Sequence, residues 1–160
     1  MPVALLVAVV FAAEPCPAEL FRIERSTNAN VVLYEAKRDE AGRLKAEDPV
    51  TASWWMLADK GQRESLTFFE RSMAYGFSVR AAKDRAGFQL VMRALEGRQV
   101  LITERAACPV AIVVIDGREA LLRKIYVKSD DRRLVPKVEW VELFGVDLGT
   151  GEPLTERLAP

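Results

Sequence analysis

The second half of the chain alternates apolar and polar residues with a period of two, which is the pattern of half-buried β-strands. Between Gly87 and Leu148 the pattern recurs in about four or five runs, each closed by a turn signal such as Gly97 or Asp116-Gly117. Val110–Ile115 is apolar throughout, so we expect it to be buried on both faces. These runs predict a β-meander, in which each strand lies beside the strand that precedes it.

The first half predicts more strands. Leu20–Arg25 and Val31–Ala36 are short alternating runs on either side of a cluster of Ser and Asn residues, so we expect a hairpin. Val50–Leu57 is a further strand-like run, and it carries Trp54 and Trp55 on opposite faces.

One short helix is predicted between these two groups of strands. Thr67 and Glu70 fit a capping box, in which each side chain binds the backbone N–H of the other residue. Gly76 is expected to end the helix in the left-handed conformation, so the helix spans about Phe68–Tyr75. A helix this short needs packing on the sheet. Its expected buried residues are Phe69 and Met73.

The last long strand, Lys137–Val146, changes phase along its length. Its apolar positions are even up to Trp140 and odd from Val141 onward. One extra residue shifts the alternation in this way, so a β-bulge is predicted near Trp140-Val141.

Together these elements predict an α+β fold that is mostly β. We expect an antiparallel meander of about eight or nine strands, curled into a barrel or a sandwich, with the one short helix against it. Curling is favoured because a flat sheet of that many strands would leave long unpaired edges. Residues 18–158 are expected to form a single β-rich domain.

Composition excludes several classes of protein. The chain has 160 residues with 23 basic and 23 acidic side chains, and its zero net charge argues against a nucleic-acid binder and a polybasic membrane-surface protein. It has no histidine, which removes Ser-His-Asp triads and His-ligated zinc, and two cysteines cannot make a four-Cys metal site. We therefore predict no cofactor, no metal centre and no nucleic-acid partner.

The N-terminal segment Val3–Ala13 has no charged residue and is dominated by Val, Ala and Leu. It is too short to cross a bilayer, which needs roughly 20 apolar residues, but it suits the apolar region of a secretory signal peptide. We expect residues 1–13 to be a signal peptide, the mature chain to have no transmembrane span, and the protein to be periplasmic or secreted. The alternative is a buried N-terminal strand or helix of a cytosolic domain.

Cys16 follows this segment, and Cys108 lies in a turn of the meander. In an oxidising compartment the two cysteines could pair in a disulfide that closes a long loop. The alternative is two unrelated thiols.

Several short motifs along the chain form a recognisable set: Leu20–Ser26, Ala58–Gly61, Glu70-Arg71, Ala74-Tyr75-Gly76 and Val138–Gly145. With these motifs the chain resembles a bacterial family of uncharacterised proteins, domain of unknown function 4833. The resemblance covers about Leu20–Leu158, and Ser53 departs from it, since an aromatic residue is expected beside Trp54. It implies an exported β-rich unit and no assigned activity.

The resemblance also singles out a set of polar and aromatic residues. As a pocket, their rings would form apolar walls and their arginines would bind a carboxylate or phosphate. In a structural role, the charged residues would form ion pairs that hold the helix against the first hairpin. The pair would be either Glu24 with Arg71 or Arg25 with Glu70. The candidate ligand-binding residues are Arg25, Tyr34, Trp54, Arg71 and Tyr75.

Three functions remain open from the sequence. The first is a non-catalytic exported module that binds a small ligand or an envelope component in a cavity lined by Trp and Tyr. The second is a structural or protein-interaction domain of the envelope, which would show an exposed apolar patch or a free sheet edge instead. The third is a carboxylate-based hydrolase, which needs two converging acids, one with a raised pKa, among Glu24, Glu35 and Glu70.

Overall fold

The computed structural model describes residues 15–95, 97–130, 132 and 137–159, without the side chain of Met73. These residues form one sheet of 11 strands, one α-helix and one 3-10 turn at Arg93–Leu95. The α-helix, α1, spans Phe68–Met73. In chain order the strands are β1 (Glu19–Arg25), β2 (Val31–Ala36), β3 (Val50–Met56), β4 (Gln62–Ser65), β5 (Phe77–Ala81), β6 (Phe88–Met92), β7 (Gln99–Arg105), β8 (Cys108–Ile115), β9 (Arg118–Asp130), β10 (Lys137–Asp147) and β11 (Pro153–Leu158).

The long strand β9 is the centre of the sheet. One of its edges pairs with β10 along almost its whole length. The other edge is divided, because residues 118–121 pair with β8 and residues 124–127 pair with β1. Two wings extend from this division: the β1–β4 wing and the β5–β8 wing.

The prediction of a mostly β, curled fold with one short helix is confirmed, and the sheet forms a half-barrel. The consecutive pairing from β5 to β11 is the expected meander. Two features go beyond the prediction: β4 is an additional strand, and β1 pairs with β9 in parallel, so the sheet is mixed. The predicted bulge lies between Val138 and Trp140, and a second irregularity lies between Phe144 and Gly145.

The core lies between the inner faces of the two wings. Alternate residues of each strand point to the same face, so each wing contributes a row of apolar side chains. Side chains that are almost completely buried in one hydrophobic cluster include Phe21, Ile23, Leu90, Ile102 and Ile115.

The outer face of β8 is covered only in part. Ala111, Ile112 and Val113 are buried, as expected for a strand enclosed on both sides, but Val114 is 45% exposed. The prediction of burial on both faces is therefore wrong at this end of β8. An antiparallel sheet needs cover on one face only, and the outer face near the β8–β9 turn has none over Val114.

The start of α1 is the predicted capping box. The Thr67 hydroxyl accepts a hydrogen bond from the Glu70 backbone N–H at 3.3 Å, and the Glu70 carboxylate accepts one from the Thr67 backbone N–H at 2.7 Å. The helix ends earlier than predicted, at Met73, with Ala74 as its C-cap.

Two other expectations for α1 are wrong. Phe69 is not buried but 69% exposed. Gly76 is not left-handed, and the reason for a glycine there is space, because a Cβ at this position would collide with the carbonyl oxygen of Arg71. Among the described side chains of α1, Glu70 is the one that contacts the sheet, through its hydrogen bond with Trp54. This side of the helix is therefore polar.

Cys16 and Cys108 form a disulfide, with their Cα atoms 5.3 Å apart and a sequence separation of 92. Cys16 precedes β1, and Cys108 is the first residue of β8. The bond therefore joins the segment that leads into β1 to the start of β8, and these are the two strands that share the divided edge of β9. The predicted signal segment, residues 1–13, lies outside the described residues.

Replacing both cysteines, in Cys16→Ser/Cys108→Ser, should lower the free energy of unfolding by about 4–5 kcal/mol, because a cross-link over so long a loop restricts the unfolded chain. Urea unfolding followed by tryptophan fluorescence measures the change. Reduced wild-type protein should match the double variant, which itself should not respond to a reducing agent. Equal stability of the oxidised and reduced wild-type proteins would contradict this prediction.

Gly76→Ala should lower the free energy of unfolding by about 1–3 kcal/mol, the usual cost of overpacking, because the added methyl group displaces the last turn of α1. Thermal unfolding measures the difference. Ser78→Ala, at an exposed position of β5, is the matched control and should change stability by less than about 0.5 kcal/mol. The same melting temperature for both variants would show that the close approach has no energetic effect.

Candidate ligand-binding cleft

A cleft of about 220 Å³ lies between the β1–β4 wing and α1. Its lining follows from the period of two, because Arg25 lies on the same face of β1 as buried Ile23, and Trp54 and Met56 share one face of β3. The inner row of side chains that forms the core therefore continues into the cleft. The lining residues are Arg25, Asn30, Trp54, Met56, Glu64, Ser65, Thr67 and Glu70.

Glu70 connects the helix to the wall of the cleft. Its carboxylate accepts hydrogen bonds from the Trp54 indole N–H at 3.0 Å and from the Thr67 hydroxyl at 2.9 Å, besides the capping bond from the Thr67 backbone. Burial by itself would raise the pKa of Glu70, but these hydrogen bonds and the charge of Arg25 together lower the pKa below its ordinary value. Glu70 is therefore an ionised, hydrogen-bonded anchor.

Arg25 forms the floor of the cleft with Trp54. Its guanidinium carbon lies 4.6 Å from the centre of a Trp54 ring and 6.0 Å from the Tyr75 ring, which are cation–π distances. The guanidinium donates a hydrogen bond to the Asn28 side chain at 3.2 Å. Its Nε is buried without an acceptor among the described residues, and none of their carboxylates forms an ion pair with it.

Tyr75 and Tyr34 support this floor from behind. The Trp54 and Tyr75 rings meet edge to face, with their centres 5.2 Å apart. The Tyr34 hydroxyl donates a hydrogen bond to the Tyr75 carbonyl oxygen at 2.9 Å, and Tyr34 is completely buried. Burial raises the pKa of Tyr75, although the charge of Arg25 and a hydrogen bond from its guanidinium oppose this. Burial also raises the pKa of Tyr34 far above its usual range.

The structure thus brings four of the candidate residues into one cluster. Arg25 and Trp54 line the cleft, Tyr75 packs against both, and Tyr34 lies beneath Tyr75. The remaining candidate, Arg71, is exposed on α1 and does not line the cleft.

The two ion pairs predicted from the sequence, Glu24 with Arg71 and Arg25 with Glu70, are wrong. Glu24 pairs with Lys124 at 3.1 Å rather than with Arg71. Arg25 and Glu70 both line the cleft, but they interact through their charges without an ion pair, because Glu70 is occupied by Thr67 and Trp54. The sequence could not select these partners, since β9 reaches β1 only through the parallel pairing.

The acids considered for a hydrolase do not form a catalytic pair. Glu24 is paired with Lys124, and Glu35 is paired with Arg63 at 3.0 Å. Glu70 has a lowered pKa, whereas a general acid needs a raised one. Each of the three acids is therefore bound to a different partner rather than to a shared site.

Several lining residues are not singled out by the sequence. Glu64 and Ser65 belong to β4, a four-residue strand after the turn at Lys60-Gly61. The sequence offers one signal for this strand, which is the turn followed directly by the run Gln62–Ser65. Asn30 reads as a turn residue, and the structure gives it that role, because its side-chain oxygen accepts the Ala58 backbone N–H at 2.9 Å.

The fold and the cleft define a class of protein: a curled, mostly β domain with a small polar and aromatic cleft beside its single helix. Within the described part of the chain, no three Cys, Asp or Glu side chains are grouped to hold a metal ion. No helix among the same residues is both long enough and apolar enough to cross a membrane.

The chain belongs to the family described as domain of unknown function (DUF4833), whose model matches residues 21–157. The resemblance seen in the sequence is therefore confirmed. Searches of the curated proteins and of the solved structures gave no match.

Glu70→Gln should reduce stability at neutral pH and have progressively less effect in acid. The folded-state pKa of Glu70 is lower than its unfolded-state pKa, so ionised Glu70 stabilises the fold above the unfolded-state pKa, and this stabilisation disappears as the pH falls through the folded-state pKa. Melting temperatures of wild type and variant across this range measure the gap between them. A gap that is constant with pH would contradict the ionised-anchor role, and Glu64→Gln at the exposed rim is the matched control.

Proposed function

We propose that the protein is an exported, non-catalytic module that binds a small anionic ligand in the cleft beside Arg25. The observation that carries this proposal is the state of the Arg25 guanidinium, which lines the cleft, is stacked on Trp54 and forms no ion pair with a described residue. A guanidinium presents five N–H donors in a planar fork that matches carboxylate or phosphate. A ligand oxygen would accept hydrogen bonds from the part of this fork that faces the cleft.

The other charges around the cleft allow such a ligand. Glu70 is turned toward Trp54 and Thr67, and its oxygens are already hydrogen-bonded. Glu64 is the other lining acid, and it is exposed at the rim, where water screens its charge. The volume of about 220 Å³ is below the roughly 300–1,000 Å³ of drug-sized sites, so the ligand is expected to be compact.

Two observations support export. The Cys16–Cys108 disulfide is of the kind that forms and persists in oxidising compartments. The apolar segment Val3–Ala13 has the composition of a signal peptide. We therefore propose a periplasmic or extracellular location, where a ligand from the envelope would be available to the protein.

The alternative function, a structural or protein-interaction domain of the envelope, would use an exposed apolar surface away from the cleft. Phe68 and Phe69 are 87% and 69% exposed, which is uncommon for neighbouring aromatic residues. This surface does not compete with the cleft, because the two phenylalanines do not line it.

Native mass spectrometry of the protein purified from its own host tests the proposal. We expect wild-type protein to carry a reproducible adduct, and Arg25→Gln to bind it about ten-fold more weakly or worse, since a charge-assisted hydrogen bond contributes about 1.5–3 kcal/mol. Arg25→Lys keeps the charge and should retain part of the adduct.

Glu64→Gln is the matched control, because it removes an opposing charge from the rim of the same cleft. It should leave the adduct unchanged or increase it, which is the opposite of the effect of Arg25→Gln. Wild-type protein without an adduct, or an adduct that Arg25→Gln retains in full, would count against ligand binding in this cleft.

A further inference from the structure

The helix α1 presents two different faces. At 100° per residue, Arg71, Phe68, Ser72 and Phe69 occupy one continuous arc, which we call the outer arc, and Glu70 lies on the opposite side, against the cleft. Phe68 and Phe69 are 87% and 69% exposed on this arc. The helix is attached to the sheet without using either phenylalanine. Both side chains are therefore available for contact with a partner.

The surroundings of the outer arc are unlike a protein interface. The strand that leads into α1, β4, is polar and exposed at all 4 of its positions. A stable protein–protein contact buries about 800 Å² on each partner around an apolar, well-packed centre. Two protruding rings beside a polar strand do not form such a surface. A lipid interface requires no complementary shape, because it accepts single apolar side chains into its acyl boundary.

The charges beside the rings also fit a lipid surface. Arg71 is exposed, and no described residue forms an ion pair with it. The Arg93 side chain passes close to Gly76, just beyond the C-terminus of α1, and adds a second positive charge there. Glu70 is the only acid of the helix, and it is bound on the cleft side. The outer arc is therefore apolar and positive, which complements an anionic lipid surface.

We propose that the outer arc of α1 docks the protein on a membrane that contains anionic lipid, with Phe68 and Phe69 in the acyl boundary and Arg71 at the headgroup phosphates. The zero net charge of the chain excludes general electrostatic attraction as the main force, so the two phenylalanines supply most of the affinity. This role is separate from ligand binding in the cleft.

Sedimentation of the purified protein with phosphatidylcholine vesicles, with and without phosphatidylglycerol, tests the proposal. Wild-type protein should bind both, and the anionic vesicles more tightly. Phe68→Ser/Phe69→Ser should weaken binding to both by at least about ten-fold. Arg71→Gln should weaken binding to the anionic vesicles alone, by about five-fold, the fold-change expected for one cation near such a surface.

Val114→Ser is the control, because Val114 is an exposed apolar residue on β8, away from α1, and its replacement should leave vesicle binding unchanged. The single variant Phe68→Ser should give an intermediate loss if the double variant is poorly folded by circular dichroism. Failure of wild-type protein to bind either vesicle, or equal binding by wild type and the double variant, would overturn the proposal. So would a double variant that loses only self-association on a sizing column, since the arc would then contact a second copy.

Discussion

The structure depends on the way in which β9 uses its two hydrogen-bonding edges. A strand has only two edges, and one of them is taken up by β10 over residues 120–130. The other must serve both β8 and β1, so it is divided into consecutive halves. Because β8 and β1 cannot both continue along β9, the strands beyond them diverge into two wings. The wings curl toward each other, since only in that way are their apolar inner faces covered.

This arrangement creates the place that α1 occupies. β4 and β5 are the terminal strands of the two wings, and the chain passes from one to the other through the helix. A helix of 6 residues has little intrinsic stability, and it is attached through polar contacts. Glu70 binds the Trp54 indole, and the Tyr34 hydroxyl binds the carbonyl of Tyr75. The cleft beside Arg25 is the space left between this polar attachment and the β1–β4 wing.

The same short helix separates the two surfaces that we connect with function. Its inner side holds Glu70 ionised beside Arg25 and Trp54, and its outer arc leaves Phe68 and Phe69 in solvent. A helix that was docked through its phenylalanines would have had neither property. The Cys16–Cys108 disulfide joins the segment that leads into β1 to the first residue of β8, so the wing that carries the cleft is held to the other wing by a covalent bond as well as by the core.

The sequence by itself determined the elements that depend on near neighbours. Period-two alternation located most of the strands, the phase change near Trp140-Val141 indicated a bulge in β10, and Thr67 with Glu70 located the start of the helix. Each of these signals is local, because side-chain direction in a strand and capping in a helix are set within a few residues. The grouping of Arg25, Trp54 and Tyr75 came from the resemblance to the family, not from spacing.

Only the tertiary structure decided what those elements meet. The parallel pairing of β1 with β9 joins residues about a hundred positions apart, and no local pattern encodes it. That pairing gives Glu24 its partner Lys124 and frees Arg25 for the cleft. Phe69 is predicted to be buried because it is apolar. Its burial depends, however, on which side of α1 contacts the sheet, and Trp54 contacts the side that carries Glu70. Partner choice over long distances is a property of the whole packed chain.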